Sequence, residues 1–182
     1  LGGDCSIVLG CLLGLRQRRE HQGLVYIDGH ADFYQPSASP TGEAADMALA
    51  FATGYGPTSL ARMVERPLVA PSRTVLLGHR DSEEAKREGS NDVTTTPILS
   101  YSLAELHTHG FAPCTASVLS RIANMGNCWV HLDADVLDDA VMPAVDYRMS
   151  GGLNPSQLVS LLRPILHATN VRGMDVTIYN PS

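Results

Sequence analysis

The chain has 182 residues, a length typical of a single domain. With 44% hydrophobic and 18% charged residues, it can build a sizeable core and is too apolar to be a disordered chain. Acidic residues outnumber basic ones by 19 to 13, and the resulting net charge of −6 weighs against a nucleic-acid partner. The sequence shows no transmembrane run, no secretory leader and no paired cysteine spacing, so we expect a cytoplasmic protein with free thiols.

Short apolar runs alternate with helical segments along the chain, a pattern typical of βαβ units around a mainly parallel sheet. No linker divides the chain, so we expect one domain over 1–182. Pro164 is expected to kink or shorten the last helix. In chain order, the predicted elements are a helix over 7–18, a strand over 24–27, a loop over 34–42, a helix over 43–53, a strand over 74–77, a helix start over 83–88, a strand over 97–100, a helix near 103–106, a strand over 128–132, a helix opened by Asn154 and Pro155, and a strand over 171–178.

Two groups of acidic and imidazole side chains directly follow predicted strands. Asp28, His30 and Asp32 come after the first strand, and Asp133 and Asp135 come after the fourth. In each group the polar side chains recur at every second residue, so an extended segment points them the same way. Carboxylates that converge in this manner repel one another, and their burial is costly without cations. The pattern therefore predicts a divalent metal site at the carboxyl edge of the sheet.

Either group alone is a weak signal, for which a solvated turn is the better interpretation. A third motif, Gly2-Gly3-Asp4-Cys5-Ser6, stands at the start of the first predicted helix and argues against that interpretation. Together the three motifs resemble the arginase/agmatinase family, the ureohydrolases, in order and spacing. The resemblance extends over essentially the whole chain and includes Asp175 and the Asn180-Pro181 pair near its end.

The resemblance implies a three-layer α/β/α sandwich with a mainly parallel sheet. Family members carry further strands upstream and a helix downstream, so we expect the single arginase-like domain of 1–182 to be incomplete at both ends. Family members also commonly assemble into trimers or larger oligomers. We therefore expect a homo-oligomer that acts on a small-molecule substrate. We expect neither a nucleic-acid partner nor a membrane.

The resemblance also implies a pair of divalent metal ions, expected to be manganese. Asp28 and Asp133 would bridge the two ions, His30 and Asp135 would complete the shell of one, and Asp32 would complete the shell of the other. In the family, a hydroxide bridging the metals attacks a guanidinium carbon and releases urea and an amine. Asp32 would be the catalytic residue that holds this hydroxide and receives its proton.

Cys5 departs from the family pattern, which places a histidine metal ligand at its position. As a thiolate it could still bind the metal and would favour zinc, iron or nickel over manganese. The alternative is a neutral, buried thiol beside a weakened metal position, and the residues leave these two interpretations open. A third, in which Cys5 is a covalent nucleophile, is disfavoured.

Further departures fall on the substrate side. Ala45 takes the place of a proton-shuttle histidine, and Ile178 takes the place of a glutamate that pairs with guanidinium. Asp146 and Arg148 would form a different polar wall, in which Arg148 could hold a substrate carboxylate, although a solvated arginine is the safer interpretation. Glu83 matches an acidic position that reads the substrate amine, and it is equally well explained as a surface carboxylate.

His131 precedes Asp133 by two residues and could share its face, although a packed, hydrogen-bonded histidine is the favoured interpretation. The leading hypothesis is a metallohydrolase of the ureohydrolase type that acts on a guanidino or amidino C–N bond. The rival is a family member that keeps metal binding and has lost catalysis, which the replacements at Ala45 and Ile178 favour. A hydrolase of a different amide or amidine is a third hypothesis.

Overall fold

The computed structural model describes residues 1–16, 22–56 and 67–180. Its central feature is a sheet of five strands, all of them parallel, in the spatial order β3-β2-β1-β4-β5. The strands are β1 (Gly23–Ile27), β2 (Thr74–Leu77), β3 (Leu99–Tyr101), β4 (Cys128–Asp133) and β5 (Val171–Thr177). The helices in the described ranges are α1 (Ile7–Arg16), α2 (Ala48–Thr53), α3 (Ser82–Arg87), α4 (Leu103–His109), α5 (Phe111–Ala123) and α6 (Pro155–Leu166), with short 3-10 turns at Ala45–Met47, Pro71–Arg73, Val93–Thr95 and Ala134–Val136.

Apolar side chains cover both faces of the sheet, as alternate residues of β1 show. Leu24 and Tyr26 belong to a buried cluster that also contains residues of α1 and α2. Val25 and Ile27 belong to a second cluster, with residues of α4, α5 and α6. A strand buried on both faces needs such an uninterrupted apolar run. The layers are therefore helix, sheet and helix, and the expected three-layer α/β/α sandwich is confirmed.

Side-chain caps fix the starts of two helices. Asn154 accepts a hydrogen bond from the backbone N–H of Gln157, whose side chain bonds back to the Asn154 N–H, and Pro155 occupies the first turn. Ser102 and Glu105 form the same reciprocal arrangement at the start of α4. Because each box satisfies two otherwise unpaired N–H groups, these helix starts are encoded locally.

Most elements lie where the sequence predicts them, and one helix was missed. The 13-residue helix α5 was not predicted; its Pro113 lies in the first turn, where a missing N–H is tolerated. Pro164 lies in the last turn of α6, which ends two residues later at Leu166, and Leu161 and Ile165 are buried on either side of it. The end of the first predicted helix, residues 17–18, and Pro181 lie outside the described residues.

The strand order creates a crevice at one place on the sheet. The chain runs from β1 outward through β2 to β3, and then returns to place β4 and β5 on the other side of β1. The order thus reverses between β1 and β4, and ligands of open parallel sheets bind outside the carboxyl ends of the strands at such a point. Both acidic groups of the sequence follow these two strands. In the described ranges, no helix combines the length and apolar character needed to cross a bilayer.

The cap of α6 provides a test of the fold. We expect Asn154→Ala to lower the free energy of unfolding by about 1 kcal/mol, because a helix N-terminal N–H loses its partner. Asn154→Ser, which keeps an acceptor oxygen, should stay within a few tenths of wild type. Urea denaturation of the three proteins measures the difference, and equal losses in both variants would contradict a capping role.

Candidate metal centre

The two acidic groups form the same local turn at the ends of β1 and β4. Asp28 Oδ1 accepts a hydrogen bond of 2.7 Å from the backbone N–H of His30. Asp133 Oδ1 accepts one, also of 2.7 Å, from the backbone N–H of Asp135. The turns are joined because the Gly29 N–H donates to Asp135 Oδ1 at 3.1 Å. Each strand-end aspartate thus fixes the backbone of the candidate ligand two residues later.

His30 and Asp135 form the outer pair of the site. His30 Nδ1 lies 3.0 Å from Asp135 Oδ2 and 3.8 Å from Asp28 Oδ1. Burial lowers the pKa of His30, but the hydrogen bond and charge of Asp135 outweigh this effect and raise it to about 9. Burial raises the pKa of Asp135, and the His30 bond and charge reverse that shift, so the net change is downward. Donor atoms of Asp28, His30 and Asp135 lie within 4.8 Å of one another, close enough to share one cation.

Cys5 lies on the inner side of the same edge. Its Sγ donates to Asp133 Oδ2 at 2.8 Å and lies 4.0 Å from Asp28 Oδ2 and 3.4 Å from Thr177 Oγ1. Burial, followed by the negative charges of neighbouring aspartates including Asp28 and Asp133, raises the pKa of the Cys5 thiol far above its usual range. Without a cation, Cys5 is therefore a neutral hydrogen-bond donor, and ionising it requires positive charge beside it.

Asp32 lies beside the two turns on a strained backbone. Its φ of 46° is in the left-handed region, which aspartate tolerates better than most residues. The Tyr26 hydroxyl donates to its Oδ2. Burial raises the pKa of Asp32 to about 6, against the opposing effects of the Tyr26 bond and the His30 charge. Its backbone carbonyl accepts from Leu49 N–H at 3.0 Å and from Ala50 N–H at 3.2 Å, which ties the start of α2 to the site.

The donor set fits divalent cations. Burial and then the charges of neighbouring carboxylates raise the pKa of Asp28 well above its usual value and that of Asp133 to about 8. The carboxylates thus resist ionisation together, and cations would relieve this repulsion. A second group of donor atoms, on Cys5, Asp28, His131 and Asp133, also lies within 4.8 Å. Carboxylate oxygens with imidazole and thiol donors suit first-row transition metals.

A cavity of 140 Å³ opens beside these donors. Ala45 and Ile178 both line it, as their predicted substrate-side positions require. Ile178 has a φ of 60°, a strained conformation for a β-branched residue. The cavity is lined by Cys5, His30, Asp32, Tyr34, Pro40, Thr41, Glu43, Ala45, Asp46, Asp81, Glu84, Asp133, Asp135, Tyr147 and Ile178.

None of the predicted substrate-side residues Glu83, Asp146 and Arg148 is among those that line the cavity beside the donors. Glu83 lines a separate, neighbouring cavity of 320 Å³, whereas the next residue, Glu84, lines the cavity beside the donors. Asp146 accepts a 2.7 Å hydrogen bond from Asn180 Nδ2. Arg148 is more than half exposed and lies 3.7 Å from a carboxylate oxygen of Asp139.

Sequence reasoning missed two further residues of the site. Tyr26, which bonds Asp32, lies two residues before Asp28 in β1 and so shares its face. Asp81 is buried, accepts from the Ala31 N–H at 3.1 Å and follows β2, the neighbour of β1. Position on the same face or the same sheet edge was the available signal for both.

The whole chain, residues 1–182, matches the family model described as the arginase family. The chain belongs to the arginase family. It is 27% identical over 183 residues to an arginase of Staphylococcus aureus and 28% identical over 182 residues to one of Bacillus subtilis. All of the chain is covered in both cases, and it spans about three fifths of those relatives, 59% and 60% of their lengths.

Solved structures agree with this membership. An arginase from Bacillus cereus superposes with a TM-score of 0.86 at 25% identity, covering 98% of this chain and 62% of that one. A hypothetical agmatinase from Burkholderia thailandensis shares the fold, with a TM-score of 0.74 at 23% identity, and covers 99% of this chain and 50% of that one. The resemblance drawn from the three sequence motifs is thus confirmed.

The charge distribution of this member of the family predicts how its stability depends on pH. We expect the metal-free protein to lose stability as the pH rises from about 4 to about 9. In that window Asp32, Asp133 and His30, with pKa values of about 6, 8 and 9, hold protons in the folded state that the unfolded chain releases. Each rise in pH therefore favours unfolding.

Urea denaturation in the presence of a chelator, repeated across this pH range, measures the slope. Asp133→Asn should flatten it, because the substituted side chain no longer titrates. An excess of divalent metal should reverse the slope, since metal ligands must be deprotonated. A metal-free stability that rises with pH would contradict the prediction.

Proposed function

We propose that the protein is a metal-dependent hydrolase of the ureohydrolase type, which cleaves a guanidino or amidino C–N bond in a small molecule. One observation carries the proposal. Two groups of donor atoms share Asp28, lie at the reversal point of the sheet and border a cavity of 140 Å³. A buried cluster of this kind has no evident structural use, because its carboxylates repel one another.

The proposed binuclear site uses the ligands that the sequence predicts. Asp28 and Asp133 would hold both ions. His30 and Asp135 would complete the outer position, on the side of the first donor group, and Asp32 and Cys5 would complete the inner one. Cys5 belongs to the second donor group, and Asp32 lies outside both groups. Manganese is the proposed metal, and zinc, iron or nickel are the alternatives that a thiolate from Cys5 would favour.

The chemistry that two divalent ions supply in such a site is the activation of water, whose pKa they lower. Asp32 is the proposed proton acceptor. A carboxyl whose pKa is raised toward neutrality can take a proton from attacking water and return it to a leaving amine. The Tyr26 hydroxyl donates to Oδ2 of Asp32 and holds this carboxylate in place beside the cavity that Asp32 lines.

The cavity suits a cationic substrate end. Glu43, Asp46 and Glu84 line it together with Asp133 and Asp135 of the donor groups. Asp46 Oδ2 accepts hydrogen bonds from the hydroxyls of Ser39 and Thr41, at 2.8 and 2.7 Å, and these bonds fix the position of its carboxylate. A cavity rimmed by carboxylates favours guanidinium over a neutral amide.

We propose that Glu83, Asp146 and Arg148 bind the part of the substrate beyond its guanidino group. Tyr147, between the latter two, lines the cavity and donates to Glu43 Oε2 at 3.0 Å. A substrate longer than its guanidino group would extend past Tyr147 toward this wall.

The protein's four cysteines are all free, in keeping with the proposed cytoplasmic location. A homo-oligomer is the proposed assembly of the whole protein.

The second candidate is a family member that binds metal without catalysis. The apolar Ile178 and Ala45 favour it, because neither can pair with a cation or move a proton. An activity assay on the metal-loaded protein separates the two functions.

We expect urea to be released from at least one of L-arginine, agmatine and guanidinobutyrate when the whole protein is loaded with manganese, zinc or nickel. Asp32→Asn should lower kcat by about 10²–10⁴-fold, the usual contribution of a proton acceptor. Glu105→Gln, a surface substitution in the cap of α4, serves as the matched control and should keep full activity. Silence with every metal and substrate would overturn the guanidino hydrolase and leave the metal-binding function.

Ile178 provides an independent test of the substrate side. We expect Ile178→Glu to lower KM for a cationic guanidino substrate by about tenfold, because it adds a carboxylate to the cavity. Ile178→Gln is the uncharged control of the same shape, and it should leave KM unchanged. Equal effects of both substitutions would show that relief of backbone strain, and not charge, is responsible.

A further inference from the structure

His131 is a buried histidine that the proposed ligand set does not use. It lies in β4, two residues before Asp133, and its side chain is fully buried. Its Nδ1 lies 2.6 Å from Asp175 Oδ2. Among the residues that the structure describes, its Nε2 is buried and has no hydrogen-bond partner. An unpaired polar atom inside a protein is destabilising, so this nitrogen calls for an explanation.

The hydrogen bond at Nδ1 sets the chemical state of the ring. A carboxylate can only accept a hydrogen bond, so the tautomer that bonds Asp175 carries its N–H at Nδ1 and donates it to Oδ2 of Asp175. In that tautomer, Nε2 is the nitrogen that presents a lone pair. A lone pair can only accept, and no donor among the described residues bonds to this nitrogen. A ring nitrogen with a free lone pair is the form of histidine that binds metal ions.

The surroundings of the ring consist of metal-binding atoms. One ring nitrogen of His131 lies within 4.8 Å of donor atoms on Cys5, Asp28 and Asp133. Since Nδ1 is bonded to Asp175, Nε2 is the nitrogen left to serve this group. The group thereby contains an imidazole, a thiol and two carboxylates, a complete set for a transition metal.

The ring is also held rigidly. Tyr26 stacks on it with ring centroids 4.1 Å apart and an angle of 25° between the planes. The Trp129 indole N–H donates to the other oxygen of Asp175. Tyr26, His131 and Asp175 are register partners on β1, β4 and β5, so they form a polar row across three strands beneath Asp28 and Asp133. A carboxylate that orients a histidine is the usual support of a metal-binding imidazole.

We propose that His131 Nε2 is a metal ligand at the inner position, beside Cys5, with Asp175 as its positioning residue. This inference rests on the proposed metal-dependent function. It gives the inner position the neutral imidazole that Cys5 cannot supply. Each of the two metal positions then has one histidine, His30 outside and His131 inside, with Asp28 shared between them.

The metal content of the whole protein tests the proposal without an activity assay. His131→Asn is the decisive variant, because its amide nitrogen can still donate to Asp175 while no atom remains at the Nε2 position. We expect mass spectrometry to find two metal ions per chain in wild type and one in His131→Asn. His79→Asn, which replaces another buried histidine outside both donor groups, should retain two.

Asp175→Asn tests the positioning role. It should weaken metal binding at one of the two positions by about 10–100-fold, the usual effect of removing the carboxylate behind a ligating histidine. Competition with a chromogenic chelator measures both dissociation constants. Binding of both metals with unchanged constants in Asp175→Asn and in His131→Asn would overturn the inference.

A measurement on wild type covers the case in which the variants fail to fold. In protein labelled with ¹⁵N-histidine and loaded with ¹¹³Cd, a scalar coupling between cadmium and Nε2 of His131 would demonstrate the bond directly. A loaded protein with that coupling at His30 alone would refute the His131 ligand while leaving the proposed function intact. Wild type that binds no metal under any condition would refute both.

Discussion

The mutual repulsion of buried carboxylates is the constraint on which the rest of this structure depends. Asp28, Asp133 and Asp135 are almost fully enclosed at the carboxyl edge of the sheet, and ionising all of them in that place is unfavourable without positive charge. In the two turns, backbone N–H groups donate hydrogen bonds to all three of these carboxylates. Gly29 permits the close approach of the two turns, since a Cβ there would lie 2.8 Å from Asp135 Oδ1 and 2.9 Å from its carbonyl oxygen. The remaining imbalance is what divalent cations would neutralise.

The sheet supplies the precision that this cluster needs. Parallel pairing of β1 with β4 and of β4 with β5 sets Tyr26, His131 and Asp175 side by side, one pleat beneath the candidate ligands. Side chains on central strands cannot move without disturbing both helical layers, because both clusters of apolar residues close on the sheet. The polar row therefore acts as a rigid floor for the site. In the proposed function, Tyr26 and Asp175 hold the His131 ring in the orientation in which it binds the metal.

The outer wall of the cavity is built differently, from loops. Glu43 and Tyr147 lie outside the helices and strands, and Asp46 lies in a short 3-10 turn. Tyr147 donates to Glu43, and the Ser39 hydroxyl donates to Asp46. Substitutions such as those at Ala45 and Ile178 can alter such a wall without disturbing the sheet. This separation allows the cavity wall of a chain to differ from that of its relatives while the candidate metal ligands at the sheet edge are kept.

The sequence alone predicted the strands and the two acidic groups, because those signals are local: apolar runs, and acidic residues at alternate positions after a strand. The three layers were expected from the resemblance to the arginase family. The sequence did not show that Glu84, and not Glu83, lines the cavity beside the donors. It also did not show that a helix begins after Gly110. Both features depend on the path of the chain around neighbouring elements. Above all, only the tertiary structure distinguished the two nitrogens of His131. Asp175 lies 44 residues away along the chain, and its contact with one nitrogen, which leaves the other free, exists only when β4 and β5 pair in register.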